Sequence, residues 1–212
     1  MRLRGPAPLP APDPRTPWRD AEFCVLDVET TGLALNRDEI VSYGAVPVVR
    51  ARIPCGRVVY REVRPDRPVS VGALTVHGLR TADLASAPPL ADLLDELTGL
   101  LTGRVLVAHA AWVERAFLDR ALGPRGHRIG RAVVDTAALL RACRLAEPGA
   151  PTEPNLEAAA RGLGLPVYTP HHARGDAFTT AQLFLALATR LERPGRPLTV
   201  RDLCAISRHH SA

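Results

Sequence analysis

Residues 23–29 read FCVLDVE. Val25, Leu26 and Val28 are the residue types of a buried strand, yet Asp27 and Glu29 interrupt them one residue apart. Successive side chains on a strand point to opposite faces, so positions i and i+2 share a face. A strand here must project two carboxylates from one side of its end, just before a Thr30-Thr31-Gly32 turn. Like charges so placed repel each other and lose hydration. The fold therefore has to bring compensating positive charge to that point.

The pattern around this strand sets the fold class. Two further runs rich in Val, Ile and Tyr follow, EIVSYGAVPVV (39–49) and RVVYREV (57–63), separated by the turn-prone LALNRD and IPCG. Such short separations predict an antiparallel meander. The second half alternates instead. PPLADLLDELTGLL (88–101), VERAFLDRAL (113–122), AALLRACRL (137–145) and NLEAAARGL (155–163) have helical spacing, as does DAFTTAQLFLALATRLE (176–192). The last lines up Ala177, Ala181, Phe184, Ala188 and Leu191 on one face. VLVAH (105–109) and AVVDT (132–136) read as short buried strands. Together these predict an α/β fold in which helices pack on a mixed sheet, the meander extended by parallel strands.

A chain of 212 residues with 46% hydrophobic content suits one α/β domain, expected over residues 21–193. Residues 1–20 are punctuated by proline and predicted to form a flexible leader; residues 194–212 open on Pro-Gly-Arg-Pro and read as a tail. The N-terminus lacks the apolar core of a signal peptide and no run of 18 apolar residues occurs, so the expectation is a cytoplasmic protein without membrane contact. Cys24, Cys55, Cys143 and Cys204 form no CxxC pair, which argues for reduced, packed side chains over a structural zinc site. The net charge of +5 favours a polyanionic partner. All 27 basic residues are arginine, whose forked guanidinium matches phosphate oxygens.

Other carboxylates occupy suggestive places. Glu114 starts a helix directly after a strand and heads an apolar stripe of Phe117, Leu118 and Ala121. Alone, it reads as a favourable charge at a helix N-terminus. Asp176 follows Gly175 and opens the last long helix, where an Asp by itself is a cap. His171, five residues earlier in a loop bounded by Pro170, adds an imidazole suited to general-base work.

Taken together, DVETTG (27–32), LTVHGL (74–79), VAHAAWVERAFL (107–118), VVDTAALLR (133–141) and HHARGDA (171–177) resemble the DEDDh (DnaQ-like) 3′–5′ exonucleases of the RNase H-like fold. The similarity is greatest to the branch that contains bacterial DNA polymerase III epsilon subunits, and covers roughly residues 21–192. The second motif departs twice: Ala110 stands where the family has Asn, and Glu114 where it has Asp.

The resemblance implies that Asp27, Glu29, Glu114 and Asp176 hold two divalent ions, Mg²⁺ or Mn²⁺, with His171 as general base. Oxygen ligands suit those ions better than zinc. Thr30, Thr31 and Gly32 would offer backbone amides to the terminal nucleotide. Leu33 and His77 would pack on its base or sugar, and Trp112 would stack a base. Asp135 reads as structural. The implied partner is the 3′ end of a single strand, DNA ahead of RNA, and also a DNA polymerase subunit. Two alternatives remain: an exoribonuclease of the same fold, and a weakly active module that binds nucleic acid or a polymerase. A zinc hydrolase built from His109, His171 and His172 lacks any HExxH-like spacing.

Overall fold

In the computed structural model, which describes residues 5–146 and 153–210, the alternating run becomes the central strand of a sheet. The elements in chain order are β1 (Ala7–Pro8), β2 (Glu22–Thr30), β3 (Ile40–Val49), β4 (Val59–Glu62), α1 (Val71–His77), α2 (Leu90–Leu101) and β5 (Val105–Ala108). There follow α3 (Trp112–Leu122), β6 (His127–Arg128), β7 (Val133–Asp135), α4 (Thr136–Ala142), α5 (Leu156–Gly162), α6 (Ala173–Leu191) and α7 (Val200–His210). The main sheet runs β4-β3-β2-β5-β7. β2, β3 and β4 pair antiparallel, while β5 and β7 add in parallel, giving the mixed sheet that the two sequence rhythms predict.

The pleat of β2 divides the apolar residues between two cores. Phe23 and Val25 lie with Val46, Val105 and Val107 under α6, whose Ala177, Ala181, Phe184 and Ala188 are fully buried. Cys24, Leu26 and Val28 face the other way, onto Leu97 of α2 and Phe117 and Leu118 of α3. Each fully buried side chain of this size contributes about 1.5–3 kcal/mol relative to exposure. The small residues along α6 let it lie close on the sheet. Gly44, the partner of Asp27 across β2–β3, takes this furthest: a Cβ there would collide with the backbone of Ala173 and Arg174.

The N-terminal end of the chain differs from expectation, and the C-terminal tail is docked. The leader is not loose over its described part. Trp18 is 1% exposed, its indole edge meets the Phe184 ring at 5.9 Å, and its Nε1 donates to Glu192 Oε1. β1 also pairs in parallel with β6. Proline spacing masked a single large anchor. The tail forms α7, which buries Leu203 and Cys204 and receives the amide of Asp135 on Ser207 Oγ at 2.9 Å. α1 was not expected either; it buries no residue, so no apolar periodicity marks it. The four cysteines are free. No helix among the described residues is long and apolar enough to cross a membrane.

Candidate active site

Asp27 and Glu29 leave the same face of β2, in line with core residues Phe23 and Val25. The line of side chains thus turns from apolar to acidic where α6 begins. Asp176 stands in the first turn of α6, and one oxygen from each of Asp27, Glu29 and Asp176 lies within 4.8 Å of the others. All three are half-buried. The approach depends on two glycines. Gly44 admits the start of α6 onto the sheet, and Gly175 fits against the carbonyls of Tyr168 and Thr169, where a Cβ would collide. Gly44 was missed in the sequence, although a glycine inside a strand signals close backbone approach.

Glu114 arrives from α3 on the other flank. It is 5% exposed, and its Oε2 is buried without a hydrogen-bond partner. It stands outside the group of three, yet its charge acts on Asp27.

The electrostatics follow from crowding acids in a poorly hydrated place. Burial raises Asp27 well above the usual carboxylate range, and Glu114, Glu29 and Asp176 add to the effect. Burial and then Asp176 push Glu29 up to about 7. Burial pushes Glu114 up to about 8, with smaller contributions from Asp135 and Glu29 against a backbone hydrogen bond. Asp176 is raised to about 6 by burial, opposed by the His171 amide and imidazole. Four acids held at this cost, one with an orphaned oxygen, match the donor set of a hard divalent cation.

The histidines divide by their partners. His171 has a left-handed backbone, φ 57°, and donates its amide to Asp176 Oδ2 at 2.9 Å. Its imidazole is 55% exposed, with Nε2 3.6 Å from Glu157 Oε1 on α5. His172 caps α6, accepting the Arg174 amide on Nδ1, and stacks on Tyr60 at 4.4 Å between ring centroids. His109 is half-buried, its pKa lowered by desolvation. Its Nε2 faces the Pro154 carbonyl and Nδ1 faces Thr136 Oγ1. A carbonyl only accepts, so Nε2 carries the proton and neither nitrogen is left for a metal.

Ala110 occupies left-handed space at φ 58°, a conformation Asn tolerates better than Ala. Its amide donates to Asp135 Oδ1 at 3.1 Å, and the same oxygen caps α4 through Ala137 N. Asp135 thereby ties β5, β7 and α4 together.

The turn after β2 corrects one expectation. The Thr31 amide is already used, donating to Glu39 O at 2.8 Å, and its hydroxyl donates to Asp38 Oδ1. Gly32 lies against Asp38, whose carboxylate fills the place a Cβ would take. Thr30 Oγ1 donates to Gly32 O at 2.7 Å. His77 accepts the Leu79 amide on Nδ1, so its Nε2–H donates to Thr30 O at 3.1 Å. Both edges of that ring are committed and only its faces remain. Leu33 is 79% exposed, free to meet a ligand. Trp112, at 56% exposure, is not a core residue.

Comparison with known proteins adds to this geometry. The family model described as Exonuclease matches residues 24–184. A DNA polymerase III subunit epsilon-like protein of Rhodobacter capsulatus is 35% identical over 197 residues, covering 92% of this chain and 27% of that protein. A PolC-type DNA polymerase III of Thermotoga maritima is 31% identical over 180 residues, 83% of this chain and 12% of the relative. The chain thus spans about a quarter or less of the length of these relatives. Among solved structures, Exonuclease X in complex with 5′ overhanging duplex DNA superposes with a TM-score of 0.67 at 26% identity, covering 87% of this chain and 99% of that one.

Proposed function

The chain belongs to the exonuclease family, and from that premise we propose that it removes nucleotides stepwise from the 3′ end of single-stranded DNA by metal-assisted hydrolysis. The observation that carries the reading is the convergence of Asp27, Glu29 and Asp176 within 4.8 Å, with the unpartnered Oε2 of Glu114 beside them. Among the described residues no cation offsets that orphaned oxygen.

Asp27, Glu29, Asp176 and Glu114 are the groups that would hold two magnesium or manganese ions. Bound there, the ions would supply charge stabilisation for an in-line phosphoryl displacement and acidify the attacking water. The protein's own part is positional and protolytic. The Asp176 carboxylate fixes the His171 backbone through its amide. With Nε2 turned to Glu157, Nδ1 is the nitrogen left to take the proton of the water that attacks the terminal phosphodiester. Glu157 then steadies the imidazolium. The 3′-oxygen of the preceding nucleotide leaves, and a 5′-mononucleotide is released. Leu33 and the faces of His77 offer apolar contact to the terminal residue. A DNA polymerase subunit is the proposed protein partner, supported by the names of the relatives.

The place of Glu114 outside the group of three favours a second reading, a module that binds nucleic acid or a polymerase and cleaves slowly. Glu114→Asp separates the two, since a clear gain in rate belongs only to an impaired site. The main test is a 5′-labelled single strand, as DNA and as RNA, incubated with magnesium or manganese. The expected product is a ladder shortening from the 3′ end, abolished by chelator and by Asp27→Ala. Internal cuts, or cleavage that ignores the chelator, would sink the proposal; faster loss of the RNA would transfer it to RNA ends.

A further inference from the structure

Beside Glu114 the surface opens into a cleft of about 520 Å³ between the start of α3, the edge strand β7 and the end of α7. Trp112 lines it, two residues before Glu114 on the same helix but about 200° around the helix axis, so the two side chains leave α3 on different sides. Three arginines line the same cleft: Arg115, Arg131 and Arg208. Arg131 and Arg208 are exposed, and neither side chain makes an ion pair or hydrogen bond among the described residues. Arg115 meets Asp119 only at 3.6 Å and stays 43% exposed. The one acid in the cleft, Asp135, is buried and already accepts the amides of Ala110 and Ala137. The cleft therefore presents more positive than negative charge beside an exposed aromatic ring.

Building on the exonuclease reading, we propose that this cleft binds the single-stranded segment upstream of the nucleotide being removed, its phosphates on Arg131, Arg208 and Arg115 and one unpaired base on Trp112. The chemistry selects the occupant. Guanidinium forks suit phosphodiester oxygens, and an indole face suits a base whose own face is free, which interior duplex bases lack. The volume lies in the range of sites that enclose a small ligand. Position supports it too, since α3 carries Trp112 to the cleft and Glu114 to the acidic group.

The test is fluorescence anisotropy of a 5′-labelled 15-nucleotide single strand with the full chain. Calcium replaces magnesium, because its larger, less octahedral coordination suits binding without turnover. Trp112→Ala is expected to weaken binding at least tenfold, and Trp112→Phe to restore most of it. Arg131→Ala with Arg208→Ala should reduce the slope of log affinity against log salt by about 1.4, the value for two phosphate contacts on a single strand. With magnesium, kcat/KM on the 15-mer should fall at least tenfold relative to that on a dinucleotide, which is too short to reach the cleft. An unchanged salt slope in the arginine variant, equal losses on both substrates, or a blunt duplex bound as tightly as the single strand would overturn the proposal. Absence of 15-mer cleavage by the wild type with magnesium, with the binding differences intact, would instead fault the exonuclease reading and leave the cleft standing.

Discussion

Two helices bring an acid to the end of β2, and they do so under opposite conditions. α6 lies directly on the sheet, admitted by Gly44, and Asp176 arrives half-buried with a hydrogen bond from the His171 amide. α3 packs its apolar stripe into the other core, and Glu114 arrives buried with an oxygen that nothing satisfies. One acid is supported by its own loop and the other keeps an oxygen without a partner. Local geometry can hold a carboxylate beside its like charges, and where it does not, a cation must.

The contrast breaks most visibly at Gly44. Gly44→Ala puts a methyl into the Ala173 backbone, so α6 and Asp176 must shift. A displacement near 1 Å at a reacting site costs on the order of 100-fold. Steady-state kcat/KM on a labelled single strand should fall by about that much, with Glu114 untouched. An unchanged rate would mean that Asp176 does not depend on the close approach.

Glu114→Asp probes the other helix. It retracts the carboxylate by about 1.5 Å, one methylene of reach, and kcat/KM should fall about tenfold because Glu114 barely reaches the group as it is. In chelator, the two acids should differ in stability. Glu114→Leu removes a buried, unsatisfied oxygen, whereas Asp176→Leu strips the acceptor from the His171 amide. Thermal melts should place the first variant about 2–4 °C above the second, the shift for roughly 1 kcal/mol in a domain of this size. The reverse order would refute the contrast.

The smallest effect is a drift with pH. Glu29, Asp176 and Glu114 have raised pKa values, about 7, 6 and 8. A raised acid binds more protons in the folded state, so stability falls as pH rises through the interval between unfolded and folded values. Metal-free protein should lose Tm steadily between about pH 5 and 8, and magnesium should flatten the trend. A metal-free Tm that climbs over this range would contradict the raised values.

How far the sequence carried this picture depends on whether a feature had a period. Asp27 and Glu29 were legible because strand alternation is strict. The mixed sheet followed from turn spacing, and the buried face of α6 from its period of 3.6 residues. Asp176 and Glu114 gained meaning only through family resemblance, since a helix-starting acid is commonplace. Trp18 was hidden among prolines, α1 buries nothing that could betray it, and α7 is too short a run to separate from a tail. The Thr31 amide could not be assigned from sequence, because Glu39, which accepts it, lies across a loop of unpatterned residues.

The dependence on α6 has a consequence during protein synthesis. A ribosome releases Asp27 and Glu29 early, but Asp176 cannot reach them until α6 has emerged far enough to pack its alanine face on the sheet. Unfinished chains hold only part of the acidic cluster. The acidic cluster is thereby completed only after most of the chain has been made.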